Sequence, residues 1–141
     1  MHELRLKYTF QWDGNKTMEF KCIELDQAVV DDILSLGPVL TPRYMERQYS
    51  RFIDSSPSIL GGLYRHFELG NRDAFSSDLH KLSGFAATLG SKQVQKHCQW
   101  MGSAVDLEVK DDLETLTRLV ASATSEMVLL LQESRKFYRE S

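Results

Sequence analysis

The stretch DAFSSDLHKLSGFAATLGS, residues 73–91, surrounds one histidine with small side chains: Ser76, Ser77, Ser83, Gly84 and Ala87 all lie within seven residues of His80. A helix shaped only for stability would carry Leu, Glu, Lys or Ala at its exposed sites. A free imidazole is mostly neutral at pH 7 and keeps a nucleophilic nitrogen lone pair, so a bare histidine offers nucleophilic chemistry. No second catalytic residue can be placed beside it. Asp78 leaves the same helix about 160° away, and Ser76 or Ser77 would need a base and oxyanion donors for which the sequence shows no pattern. An enzyme acting alone on a small substrate is therefore the least favoured reading.

The helix that would carry His80 sets its direction. At about 100° per residue, Phe75, Leu79, Leu82, Ala86 and Leu89 fall within roughly 40° of a common direction, and His80 points about 140° from it. Ser76, Ser77, Ser83, Gly84 and Ala87 flank it, and none of them can screen the imidazole. Glycine at the one-turn position, Gly84, costs roughly 1 kcal/mol against alanine in a helix interior. Close approach of a partner's backbone or catalytic cleft would offset that cost. His2, His66 and His97 have no comparable surround and read as ordinary polar residues. Adjacent side chains on a helix diverge by about 100°, so His97 and Cys98 do not make a metal pair, and no metal site is expected.

The remaining elements follow from periodicity. Residues 4–23 alternate apolar and polar around Asp13-Gly14-Asn15, a hairpin pattern that puts Leu4, Leu6, Tyr8, Phe10 and Trp12 on one face. A short helix at about 25–36 ends at Gly37-Pro38. Four longer amphipathic segments come next, at about 44–69, 72–89, 92–106 and 112–136. Pro57 divides the first of them: either Ser56 caps a fresh helix, or one helix is kinked there. Gly70 suits a helix end, Asn71 an N-cap, Gly90 a second helix end and Ser91 a further cap. The apolar positions of the third segment are Val94, Cys98, Met101 and Val105. Asp111 with Glu114 resembles a capping box, and Leu113, Leu116, Val120, Ala123, Met127 and Leu130 alternate spacings of three and four as a bundle seam does. The expected fold is mainly α: an antiparallel four-helix bundle with a short extra N-terminal helix and an N-terminal β-hairpin. The expected division is a hairpin extension over 1–23 and the bundle over 24–141.

Composition narrows the partners. The chain has 141 residues, is 42% hydrophobic and 26% charged, and carries a net charge of −3. One core is expected, and a net negative balance provides no basic field to hold a phosphate backbone, which argues against nucleic acid. The longest apolar run, MVLLL at 127–131, falls far short of the ~20 residues that span a bilayer, and MHELRLK lacks a signal-peptide core. No membrane insertion is expected and the chain reads as cytoplasmic, although a fragment of a membrane-anchored protein would look the same. Cys22 and Cys98 are too few for a disulfide framework.

HKLSGFAATLG, His80 to Gly90, resembles the signature of the histidine-containing phosphotransfer (Hpt) domains of two-component phosphorelays, H-x-L-K-G-S-x-x-x-x-G. His80, Leu82, Gly84 and Gly90 are in register, and the similarity runs in helix order from about residue 25 to 135. The resemblance implies that His80 accepts a phosphoryl group from a receiver-domain phospho-aspartate and passes it to another. It implies response-regulator receivers as partners, with a hybrid sensor kinase as a further candidate. It also implies a phosphocarrier with no kinase activity of its own. Mg²⁺ and the acidic cluster would come from the receiver, so this chain would bind no cofactor and needs only to present its nucleophile in line. Accordingly there is no P-loop and no kinase glycine-rich box.

Two positions depart from the signature. Ser83 stands where the family usually has lysine; a neutral hydroxyl contributes roughly 0.5–1.5 kcal/mol net, against roughly 1.5–3 for a hydrogen bond to a charged group. Lys81 points about 100° away from His80 on the helix, and Arg72 lies two turns earlier. Ser83 and Lys81 are the candidate phosphate contacts; Ser76, Ser77, Gly84, Phe85 and Ala87 are the candidate docking residues. Phe85 replaces a small residue and either tucks against a neighbouring helix or offers a receiver an apolar contact. The alternative function is a receiver-docking regulatory module with weak or lost phosphotransfer. A third reading is a structural bundle whose hairpin pairs with another chain. The hairpin itself could pack on the bundle, extend the docking surface or mediate dimerisation.

Overall fold

A computed structural model describes residues 6–14, 16–22, 24–103 and 109–139. Strands β1 (Leu6–Trp12) and β2 (Lys16–Cys22) form the antiparallel hairpin, in a register that pairs Phe10 with Met18 and Trp12 with Lys16. Asp13 and Gly14 both take positive φ, 53° and 74°, which is what the Asp-Gly pair supplies to a tight turn. Phe10, Met18 and Phe20 are buried in the common core, while Leu4 and the side chains of Leu6 and Tyr8 lie outside the described residues. The hairpin packs on the bundle, and its aromatic face is the reason. The Phe10 ring lies 6.2 Å from Phe137 and the Trp12 ring 5.7 Å from Tyr138, both edge-on.

Helix α1 (Gln27–Leu34) starts at Asp26, whose carboxylate accepts from the N–H groups of Ala28 at 2.7 Å and Val29 at 3.4 Å. Gly37-Pro38 does more than end it. The next helix, α2 (Gly37–Glu68), begins there, seven residues before the start expected from periodicity. Proline is tolerated in a first turn because its missing N–H would be unpaired anyway. The Thr41 hydroxyl donates to the carbonyls of Ile33 and Leu34, and the Tyr138 hydroxyl also donates to Leu34, so the end of α1 is satisfied by the elements beside it.

Pro57 does not divide α2, which continues through both Pro42 and Pro57. Ser56 is buried in mid-helix and caps nothing. Met45, Tyr49, Phe52 and Leu63 are all buried, so the apolar stripe stays in phase across the proline. Burying that stripe outweighs the roughly 3 kcal/mol that an interior proline costs.

Helix α3 (Arg72–Leu89) has the bounds expected: Asn71 accepts from Ala74 N–H at 3.1 Å at its start, and Gly90 ends it in the left-handed region at φ 81°. Helix α4 (Lys92–Ser103) buries Val94, Cys98 and Met101 as expected, and Val105 lies outside the described residues. Its expected cap is corrected. The Ser91 hydroxyl is buried without a hydrogen-bond partner among the described residues, because the residue is drawn into a bridge with Leu25 before α1. Helix α5 (Val109–Arg139) buries the whole predicted seam from Leu113 to Leu130. It begins earlier than 112, so Asp111 and Glu114 sit inside its first turns rather than forming a capping box. Asp111 and Asp112 there face the positive end of the helix dipole.

Helix α2 packs against α3 and α5, and α4 packs against α3 and α5, which closes the four-helix bundle. The chain is mainly α with a small hairpin, as its sequence pattern implied. No helix among the described residues is long and apolar enough to cross a membrane.

Candidate functional site

The rotation of α3 in the bundle decides what His80 faces. Leu79, Leu82, Ala86 and Leu89 are buried and Phe75 is half-buried, so the apolar stripe is seated as its spacing required. On the side turned to α2, His66 Nδ1 lies 2.9 Å from Asp78 Oδ2. Gly62 makes this pair possible, since a Cβ there would stand 2.8 Å from the same carboxylate oxygen. His66 is therefore more than an ordinary polar residue. It ties α2 to the face of α3 that lies about 160° from His80.

His80 is exposed, and among the described residues its imidazole takes part in no hydrogen bond or ion pair. It lines a shallow groove of about 390 Å³ between α3 and α4, together with Ser76, Ser83, Gly84 and Ala87. Ser77, Lys81 and Phe85 do not line that groove. Ser77 and Lys81 are exposed elsewhere on α3, and Phe85 is half-buried against the core. Of its two readings, Phe85 takes the packing one.

The opposite wall was not singled out in the sequence. It consists of Gln95, Gln99 and Gly102 of α4, with Cys98 at its base. The signal for it is visible in retrospect, because 95, 99 and 102 repeat the spacing of the buried 94, 98 and 101 one residue further round the helix. The two amides offer neutral N–H donors and C=O acceptors next to the imidazole. Burial pushes the Cys98 thiol up to about 12, so it stays protonated and supplies no second nucleophile. No carboxylate, lysine or arginine is found among the described residues lining this groove.

The aligned glycines have different physical reasons. Nothing lies within 4 Å of where a Gly84 Cβ would be, so no packing within the chain requires glycine there. Gly90 is required twice over, by its φ of 81° and by Val29, whose Cβ would meet a Gly90 Cβ at 2.9 Å. Leu82 is fully buried.

A family model described as Hpt domain matches residues 49–135, more than half of the chain. The chain belongs to the Hpt domain family. Searches among curated proteins and among solved structures return no match. The matched span of this Hpt domain runs from within α2 into the last turns of α5 and contains His80 and both groove walls. The hairpin and α1 lie before it. Family membership points to histidine phosphotransfer in two-component signalling, with receiver domains as the partners on which such domains act. In this Hpt domain the histidine is exposed, and no other charged or titratable side chain but the Cys98 thiol is found among the described residues lining its groove.

Proposed function

We propose that this chain relays a phosphoryl group between receiver-domain aspartates, with His80 as acceptor and donor. A lone-pair nitrogen of His80 attacks the phosphorus of a receiver aspartyl phosphate. The N–P bond forms as the P–O bond to the carboxylate breaks, and the aspartate leaves as its carboxylate. The second transfer is the reverse reaction on another receiver. Mg²⁺ comes with the receiver, so the work of this chain is positioning and shape. Ser83, with the Gln95 and Gln99 amides across the groove, is the source of neutral hydrogen bonds to the phosphoryl oxygens. Lys81, exposed but outside the groove, is at most a peripheral contact. Ser76, Gly84 and Ala87 keep the surface low enough for a receiver to approach; Ser77 extends that low surface on the side away from α4.

The observation that carries this reading is an exposed His80, without a hydrogen-bond or ion-pair partner among the described residues, at the edge of a groove of small and neutral side chains and in register with the Hpt signature. The test is incubation with a panel of phosphorylated receiver domains and Mg²⁺, followed by mass spectrometry for acid-labile, base-stable phosphate. Label on His80 that moves to a second receiver establishes the relay. Label on another residue, or none, overturns it.

Ser83 favours one second reading, a docking module in which transfer is weak. Ser83→Lys separates the two. A charged hydrogen bond in place of a neutral one is worth roughly 1 kcal/mol or more, so transfer from a receiver rises about five- to tenfold if the missing lysine limits the rate. An unchanged rate shows that the neutral groove suffices. Gly84 gives a further prediction. Gly84→Ala is expected to raise stability by about 1 kcal/mol, since it adds helix propensity and meets no neighbour. Gly84→Leu leaves the circular dichroism spectrum intact yet slows transfer from receivers several-fold. Transfer as fast as in the unsubstituted protein would remove the clearance role.

A further inference from the structure

The groove beside His80 does not end at Ser76. A second, larger hollow of about 630 Å³ continues from it along α3 towards the α2–α3 turn, and the two share Ser76, Leu79 and Gly102. Its floor includes Phe67, Phe75 and Met101, and Arg72 and His66 are the titratable side chains among its described lining. Phe67 is 44% exposed and Leu69, on the adjoining turn, 73% exposed, so this end of the bundle keeps large apolar side chains in water. Although the chain as a whole is negative, no carboxylate is found among the described residues lining either hollow.

Arg72 is placed against local preference. It is the first residue of α3, at the positive end of the helix dipole, where a cation is disfavoured and an anion favoured. It is exposed, and among the described residues it forms no ion pair. A cation at the wrong end of a helix with no ion-pair partner among the described residues, on the rim of an apolar hollow continuous with the reactive groove, suits an incoming negative surface. On the α3 wheel Arg72 falls about 80° from His80, on the same side as Ser76 and Ser83, and about 12 Å from it along the axis. That span exceeds the reach of its side chain to a phosphoryl group on His80. Its charge is available to a protein surface spread over both hollows.

We infer that Arg72 and the hollow behind it are the anchor of receiver docking. A carboxylate on the receiver pairs with Arg72, an apolar side chain of the receiver fills the space over Phe67, Phe75 and Met101, and the receiver's phospho-aspartate is thereby set over His80. This rests on the proposed phosphotransfer at His80 and names the surface that selects its partner. Arg72 supplies as a docking charge what Ser83 does not supply at the phosphoryl group.

The test compares two donors on the full chain: phosphoramidate, a small reagent that labels histidine without docking, and a panel of purified receiver domains phosphorylated with acetyl phosphate. With Arg72→Glu, the ratio of receiver-dependent to phosphoramidate-dependent labelling of His80 is expected to fall about tenfold, through KM rather than kcat. Arg72→Lys is expected to recover most of it, and rising salt to raise KM for the unsubstituted protein but hardly for Arg72→Glu. An unchanged ratio overturns the anchor while leaving His80 as the phosphoryl acceptor. A fall in kcat alone overturns it too, because Arg72 would then act on the phosphoryl group. Sedimentation showing a dimer of the unsubstituted protein that Arg72→Glu dissolves assigns the hollow to a second copy and overturns receiver docking there. Failure of both donors to label His80 removes the phosphotransfer reading, and the anchor with it.

Discussion

His80→Ala is expected to reduce acid-labile phosphate on the protein to the background of the assay, for every receiver in a panel, while leaving the fold in place. The side chain is exposed, and among the described residues it has no hydrogen-bond partner, so its removal leaves no cavity and orphans no buried group. Surface substitutions of this kind change stability by no more than about 0.5 kcal/mol. The groove holds no other side chain able to carry the phosphoryl group as an N–P bond: its further described members are serines, glutamines, small residues, Leu79 and a thiol kept protonated by burial. Mass spectrometry of the labelled protein and a thermal melt of the variant check the two halves together. Residual acid-labile label in His80→Ala would move the chemistry to another histidine, and a lowered melting temperature would mean that His80 supports the fold.

Gly90→Ala is expected to have the opposite profile, with a large loss of stability. A left-handed backbone costs a non-glycine residue about 1–2 kcal/mol, and overpacking at a tight contact costs about 1–3 kcal/mol. Both apply at Gly90, where a Cβ would sit 2.9 Å from Val29 Cβ and 3.1 Å from its Cγ1. Neither neighbour is the free end of a flexible chain, so helix α1 itself would have to move. The corner around Gly90 multiplies the effect. Its carbonyl accepts from Asp26 N–H, Ser91 bridges Leu25, and Lys92 Nζ lies 2.8 Å from Asp26 Oδ2. A loss of about 2–4 kcal/mol corresponds to a melting temperature lower by roughly 5–15 °C, which urea titration and a thermal scan measure. A change within 0.5 kcal/mol would show that α1 is not seated on this corner. The hydrogen bond from Lys92 is the chief cause that holds the Asp26 carboxyl below its ordinary range. Its stabilising share is therefore present above the unfolded carboxylate range and is lost as pH falls through the lowered value.

Gly84 and Gly90 occupy two positions of one signature for unrelated reasons, and stability separates them. Adding a methyl group at Gly84 meets empty space and favours the helix, whereas the same change at Gly90 meets α1 and a strained backbone. A glycine needed by the fold and a glycine needed by a partner look alike in a motif. Only the surroundings of the absent Cβ tell them apart.

The sequence by itself determined the features whose causes are local. Asn71 and Gly90 bound α3 because an N-cap side chain and a left-handed C-cap act within a few residues. The outward direction of His80 followed from the spacing of Leu79, Leu82, Ala86 and Leu89, and the α5 seam from its alternation of three and four. Asp13-Gly14 set the hairpin turn through its φ values. Tertiary structure alone decided whatever depended on two segments meeting. Pro57 stays inside α2 because the stripe on both sides of it is buried. The Ser91 hydroxyl caps no helix because its backbone is engaged with Leu25. The hairpin rests on Phe137 and Tyr138, more than a hundred residues away. Gln95 and Gln99 face His80, and His66 reaches Asp78, only because α4 and α2 lie on either side of α3. Periodicity states which face of a helix is buried; which helix buries it is settled by packing energy summed over the whole core.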